Sequence, residues 1–519
     1  MKFIIILYIF LLNINIYLSE TGNCDTIRFA YILTRTGAHS PSKLKKIMNE
    51  NKEVEYKDIF GYKWLGENEL TSVGKRQQFY LGHRNYLKYK NVLYSEIYHP
   101  KELLAVSSQC NKTIQSSYAN LHGLYQKRNI ILTDKKIKYG VPPLNSNEGY
   151  DKAKNELDKY KYTLPNNIQI VPVHHFYEKS YDYLLEKVDN CPSMKKYYDG
   201  GELLAKNKRE EILNYKSETN NNKTYGDILI EILNEEKIFK DRYDIDYLKT
   251  NSTFFKIMAE TYICDYFEAV NLDKFIKKGI NKYKLLQMFE EYFGEISIGG
   301  GIKNKDDERA KKTLEVAQNV NYALFSSLLG WIKTRTEFDA KKNFDLISTS
   351  APKIVLYSSH HESIESLYYF LKENFDIKDA KNSLYVNFTS FIGVELYRKS
   401  NEKNEYTEKD YYIKLFYDNK QLGKDIPYEE FTKKLKDKIV SLKDIKKFCS
   451  ISVQSSNSIF KNIFDSKLEF IILGGIMILI FLILIGFIIY LICSIKRIKD
   501  DMPSKLLHDD DDDDDENLD

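Results

Sequence analysis

"TIRFAYILTRTGAHSPSK", Thr26 to Lys43, is the stretch on which the reading of the chain turns. Thr26 to Leu33 is rich in β-forming residues and predicts a strand, and the polar run Thr34 to Pro41 carries a glycine and leads toward a helix-like segment. A second segment has the same layout. "DLISTSAPKIVLYSS" (Asp345 to Ser359) contains a predicted strand, and "HHES" then leads into "ESIESLYYFLKEN". Ile364, Leu367, Tyr368 and Leu371 have the spacing of one helical face, and Ser359 or Ser363 suits its start. In an open α/β sheet, ligands collect beyond the carboxyl ends of strands, where helix N-termini present N–H groups to anions. An arginine, a glycine that admits close backbone approach and adjacent histidines suit a phosphate group. Either segment taken singly is weak evidence, because a lone loop His or Arg is more often an ordinary surface residue.

Outward from these two segments the pattern stays mixed. "SVGKRQQFYLGHRNYLKYK" after Thr71 and "KTIQSSYANLHGLYQ" after Asn111 read as helices, the second with Ile114, Tyr118, Leu121 and Tyr125 on one side. Strand signals resume late, in "SLYVNFTSFIGVELYRK" and "YYIKLFYD". From about residue 195 to 343 they are missing, which predicts a helical insertion in an α/β sheet domain.

The ends of the chain predict its location. Residues 1–20, with Met1-Lys2 ahead of the apolar run Phe3 to Leu12, read as a secretory signal peptide. Phe470 to Cys493 carries no charge and exceeds the roughly 20 residues that a bilayer-spanning helix needs. Lys496, Arg497 and Lys499 follow at once, so the positive-inside bias puts the C-terminus in the cytosol. The expectation is a single-pass type I membrane protein of the secretory pathway, at the cell surface or in a lysosome-like acidic vesicle. Residues 21–450 would form the luminal or extracellular domain, 451–469 a juxtamembrane linker, 470–493 the span and 494–519 a cytosolic tail. That tail ends in Asp509 to Asp515 and Glu516, a self-repelling, solvated block; the alternative is a docking segment for a basic protein partner.

Cys24, Cys110, Cys191, Cys264 and Cys449 precede the span, an odd number that leaves at least one thiol over. Asn111, Asn222, Asn251 and Asn387 begin glycosylation sequons, as a secreted glycoprotein would have. The formal net charge is +3 and no basic cluster is interleaved with aromatics, so a nucleic-acid partner is not expected.

The two strand-turn segments resemble the signatures of the histidine acid phosphatase family, a branch of the histidine phosphatase superfamily. Its first motif is R-H-G-x-R-x-P, and its second is a His-Asp pair after a strand, often Y-S-A-H-D. Between them "ELTSVGKRQQFYLGHRNYLKY" resembles the family's L-T-x-x-G-x-x-Q-x-x-x-L-G segment. "AVSSQCNKTIQSSYANLHGLY" resembles R-S-T-D-x-x-R-T-x-x-S-A-x-x-x-L-x-G-L, and "IVPVHHFYEKSYDYLL" and "NCP" match its P-V-H and Cys-Pro stretches. The resemblance runs in order from about Thr26 to Leu435. It implies a mixed-sheet α/β sandwich core with a helical cap, and a reaction in which a histidine attacks phosphorus, arginines hold the phosphate and an acid protonates the leaving alcohol. It also implies a Cys191–Cys449 disulfide and assigns no partner to Cys110 or Cys264.

Carried over residue by residue, Arg35, Gly37 and Pro41 keep the motif, but the nucleophilic His is Thr36 and the second Arg is His39. The next segment's phosphate-binding Arg is Val106, and the Arg of R-T is Lys112. His360 remains, the proton-donor position is His361, and Glu362 beside it is a possible substitute acid. A threonine hydroxyl needs an adjacent base to attack, and a lost guanidinium removes bidentate, charge-assisted hydrogen bonds. The expected phosphate-binding set is Arg35, His39 and His360. The expected function is a catalytically impaired pseudophosphatase that binds a phosphomonoester or other small anion; the alternatives are an active acid phosphatase with atypical residues and a structural surface protein. No cofactor is expected. A metal held by His39, His360, His361 and His174 or His175 is the lesser reading, since adjacent histidines point apart and no i, i+4 zinc spacing occurs.

Overall fold

In a computed structural model, Thr26–Arg35 forms β1, a strand buried from Phe29 onward except at its first turn. The structure describes residues 25–49, 51–90, 97–125, 168–175, 205–220, 222–236, 243–296, 322–340, 352–375, 384–400 and 406–438, with a few single residues between. Three short strands follow, β2 (Lys45–Met48), β3 (Val54–Lys57) and β4 (Lys63–Trp64), then helix α1 (Ser72–Tyr89), β5 (Leu103–Ser107) and α2 (Asn111–Leu124). Seven described helices come next: α3 (Lys206–Asn214), α4 (Tyr225–Glu235), α5 (Ile245–Thr250), α6 (Ser252–Glu268), α7 (Leu272–Lys278), α8 (Lys282–Ile296) and α9 (Tyr322–Ala340). The chain returns with β6 (Ile354–Ser359), α10 (His361–Asn374), β7 (Phe391–Arg398), β8 (Tyr411–Tyr417), β9 (Lys420–Pro427) and α11 (Tyr428–Lys436).

The main sheet has the order β5-β6-β1-β7-β8-β9. β5, β6 and β1 are parallel, whereas β7, β8 and β9 are antiparallel, so the sheet is mixed as the family resemblance implied. Side chains alternate across β1. Ala30 and Ile32 pack with Leu81 of α1, Leu121 and Leu124 of α2, and Ile354 and Leu356 of β6. On the opposite face Tyr31 meets Ser327 of α9 and the Tyr357 ring, and α10 lies against β1 and β7. Helices on both faces bury both sides of the strand, which explains its nearly continuous apolar run.

The face of α2 departs from expectation. The periodicity favours Ile114, Tyr118, Leu121 and Tyr125, yet Tyr118 is 43% exposed and the buried set is Thr113, Ser116, Ser117, Asn120, Leu121, Gly123 and Leu124. Close approach to α1 is the reason: a Cβ on Gly82 would lie 1.8 Å from the Asn120 carbonyl oxygen. Only small residues fit there, so small polar residues replace Tyr118 on the packed face, while Leu121 and Tyr125 are buried as expected.

The helical part has its own core, in which Phe255, Tyr262, Phe275, Phe289 and Tyr292 meet in edge-to-face contacts. The small β2-β3-β4 sheet joins it through two buried carboxyls, Asp58 and Asp265. Asp58 accepts from Phe60 N (2.8 Å), Tyr62 N (3.0 Å) and Trp64 Nε1 (2.7 Å), and Asp265 accepts from Asn271 Nδ2 (2.8 Å). The Asp58 charge opposes ionisation of Asp265, so the pair favours holding one proton between them. Burial and then the Asp58 charge push the pKa of Asp265 well above the carboxylate range; burial raises that of Asp58 against the pull of its N–H donors.

The chain divides into two compact units, Met1–Ser450 and Ile451–Asp519, and the second lies outside the described residues. So do the predicted signal peptide, the predicted span at 470–493, the acidic tail and both partners of the expected Cys191–Cys449 bridge. Among the described residues no helix is long and apolar enough to cross a membrane, and Cys110 and Cys264 are unpaired.

Candidate functional site

The register of the three parallel strands sets Arg35 opposite Ser359 and Ser107 opposite Ser358, so β1, β5 and β6 end together. The turn after β1 is tied down along its length. Gly37 N donates to Ser116 Oγ (3.2 Å) and Ala38 N to Gln77 Oε1 (2.9 Å). The Ala38 carbonyl accepts from Thr71 N (3.1 Å) and Thr71 Oγ1 (3.0 Å), and Thr71 also caps α1 by accepting from Gly74 N (3.0 Å). A Cβ on Gly37 would lie 2.2 Å from the Gly74 carbonyl oxygen, so the turn and the first turn of α1 touch backbone to backbone. Thr71, Gly74 and Gln77 thus hold the turn in shape. Two of its N–H groups are committed to protein acceptors.

A cavity of about 350 Å³ opens over these strand ends. Arg35, His39, Lys112, His360, His361 and Glu362 line its core side. The opposite wall comes from the helical part: Lys256, Glu260 and Cys264 fall on one stripe of α6, and Phe293 and Ile296 close it from α8. Glu260 fastens α6 to the turn by accepting from Ser42 N (3.1 Å) and Ser42 Oγ (2.6 Å). Tyr385 and Phe388 complete the wall. Thr36 and Val106 are not among the lining residues. Thr36 is 1% exposed, and its carbonyl accepts from Thr389 N (2.9 Å).

Arg35 donates through Nη1 to the Val386 carbonyl and stacks its guanidinium 4.3 Å from the Phe388 ring centroid. Lys112 donates to Asn68 Oδ1 (2.8 Å) and approaches His39 Nε2 (3.4 Å). Neither cation has a carboxylate within ion-pair distance among the described residues. Burial, then Lys112 and Arg35, push the pKa of His39 well below its usual value, so the imidazole is neutral. Its Nδ1–H donates to the Ser40 carbonyl (2.8 Å), which leaves Nε2 to accept from Lys112. The expected phosphate ligand His39 therefore orients a lysine and brings no charge of its own.

His360 stands at the N-cap of α10 with Nε2 3.2 Å from Ser108 Oγ; neither Ser359 nor Ser363 caps that helix. The His361 side chain is 38% exposed, yet desolvation in the cavity pushes its pKa down to about 4, with Arg35, His360 and Lys256 adding to the shift and Glu362 opposing it. Its Nδ1 lies 3.2 Å from Glu362 Oε2. Burial would raise the pKa of Glu362, but His361, His360 and Lys112 outweigh it and hold the carboxyl at about 2. An acid that is already ionised has no proton to give a leaving group. The charges around Glu362 thus argue against a proton-donor role at neutral pH. His174 is exposed at the sheet edge, where its backbone bridges Val106, and does not line the cavity.

A family model described as histidine phosphatase superfamily (branch 2) matches residues 25–418. The chain belongs to this family. Similar solved structures include a phytase from Klebsiella sp ASR1 (12% identity, 80% of this chain and 97% of that one, TM-score 0.46) and a phytase from Citrobacter braakii (10%, 80% and 98%, 0.45). A Bifidobacterium longum multiple inositol polyphosphate phosphatase in complex with inositol hexasulfate is similar at 10% identity over 80% and 94%, with a TM-score of 0.43. No curated protein sequence matches.

Within the histidine phosphatase fold, the retained Arg35 and His360 and the exchanged His39, Lys112, His361 and Glu362 meet in one cavity, while the exchanged Thr36 and Val106 do not reach it. Sequence reasoning overlooked the α6 stripe. Its i, i+4, i+8 spacing of Lys256, Glu260 and Cys264 was visible, but nothing local in the sequence says that this face meets the turn after β1.

Proposed function

We propose that this member of the histidine phosphatase superfamily is a membrane-anchored pseudophosphatase whose ectodomain binds a phosphate-bearing ligand without hydrolysing it. One observation carries the reading: Arg35 and Lys112 line a cavity without carboxylate partners among the described residues, while the nucleophile position is a buried threonine off that cavity. Two cations facing an enclosed space favour an anion, because each charge gains hydrogen bonds there that bulk water no longer supplies. Catalysis lacks its parts. Thr36 does not line the cavity, Val106 brings no donor, and Glu362 is ionised. Losing a single transition-state donor costs about 10²–10³ in rate, before the missing nucleophile is considered. The anchoring rests on the charge-free run 470–493 and the basic residues after it, and entry to the secretory route on residues 1–20.

The second reading, an acid phosphatase with atypical residues, has one observation in its favour. His361 lines the cavity and becomes a proton donor as the pH falls toward about 4. Aryl phosphate hydrolysis from about pH 4 to 7, read beside thermal stabilisation by inorganic phosphate, separates the readings. Stabilisation without turnover supports the pseudophosphatase. Turnover that is lost in Arg35→Ala and His360→Ala refutes it, and absence of both signals leaves a structural surface protein.

A further inference from the structure

A plain phosphate would use only part of the charge in this cavity, and a polyphosphate would oppose the rest. Arg35 and Lys112 lack carboxylates within ion-pair distance among the described residues, and the same cavity holds the ionised Glu362, which Lys112 stabilises only from beyond that distance and whose close neighbour is His361 Nδ1 (3.2 Å), neutral above about pH 4. A dianionic ligand seated on Arg35 and Lys112 would face the Glu362 carboxylate across a small, partly apolar space, where like charges repel more strongly than in water. Phe293, Tyr385 and Phe388 form the apolar wall, and aromatic faces of this kind attract ammonium groups. A complementary ligand carries charges of both signs and little bulk, as the volume of about 350 Å³ requires.

We propose that the cavity binds a zwitterionic phosphomonoester, an organic phosphate whose short chain ends in an ammonium group, with the phosphate on Arg35 and Lys112 and the ammonium toward Glu362 and the aromatic wall. This deepens the phosphate-binding reading above and rests on it. Lys112 is positioned for the anion by Asn68 and the neutral His39, and Glu362 lines the same cavity 3.2 Å from His361 Nδ1.

The test is titration calorimetry at pH 7 on the full chain in detergent. The ligands are O-phosphoethanolamine, phosphocholine, propyl phosphate, inorganic phosphate and inositol hexakisphosphate. The ammonium phosphates are expected to bind about tenfold more tightly than propyl phosphate, the size of effect that one charge-assisted contact gives. Glu362→Gln should abolish that difference and tighten propyl phosphate, and Lys112→Met should weaken both. Equal or tighter binding of propyl phosphate or inositol hexakisphosphate by the natural chain overturns the zwitterion proposal and leaves phosphate binding standing. Failure of every ligand to bind removes both. The ligand series on the natural chain decides the matter even where a variant does not fold.

Discussion

Replacing Asp265 with asparagine should flatten the dependence of this protein's stability on pH. Asp58 and Asp265 are both buried and the charge of one opposes ionisation of the other, so the native pair is expected to hold one proton between them. The three N–H donors on Asp58 favour its ionised form, so Asp265 is the natural proton carrier. The pKa of Asp265 is raised in the folded state, so the native protein binds a proton that the unfolded chain releases at the ordinary carboxylate pKa. Stability is therefore whole below that ordinary value and falls as pH rises toward the folded one, by about 1.4 kcal/mol for each pH unit in between. Asparagine is nearly isosteric. It can donate permanently to Asp58 where the shared proton did, and its oxygen can still accept from Asn271. Denaturant unfolding at pH 4, 5, 6, 7 and 8 should show the two proteins within about 1 kcal/mol of each other at pH 4 and the variant increasingly favoured above it. Lys274, whose charge acts against the Asp265 shift and which donates to the Phe60 carbonyl (2.7 Å), is unchanged in both proteins and cancels in the difference. Parallel pH curves for natural chain and variant would refute the shared proton.

Two further outcomes are expected. Gly37→Ala should cost several kcal/mol, on the order of a severe overpacking, because the added Cβ meets the Gly74 carbonyl at 2.2 Å with backbone on both sides; thermal unfolding measures it. Thr36→His alone should leave aryl phosphate turnover at background, since position 36 does not line the cavity; a steady-state rate at pH 5 that rises above the natural chain's would show that the imidazole reaches the ligand after all.

How much of this was legible in the sequence depended on how local the cause was. β1, α1 with Thr71 at its N-cap, β6 and α10 follow from strand and helix periodicity, and they appear where the pattern put them. The strands β2, β3 and β4 are two to four residues long and largely exposed, too short for alternation to register, and were missed. The buried face of α2 was misjudged because backbone approach, not apolarity, chose it. At the site, residue types could be matched to a motif, but their charge states could not. His39 is neutral because it is buried with a lysine and an arginine beside it, and Glu362 is ionised because histidines and Lys112 surround it. These neighbours come from segments far apart in the chain.

The clamp on the turn after β1 changes what loss of function there would mean. Ala38, Thr71, Gly74 and Gln77 bond to one another at the start of α1, and Gly37 bonds to Ser116 within α2 and abuts Gly74, so the contacts that hold the turn are with the scaffold. A turn that serves as a joint tolerates as little change as one that serves as a catalyst. Damage from mutating this motif would therefore be silent about chemistry, and a survey of mutational tolerance alone would not tell a working enzyme from a binding domain.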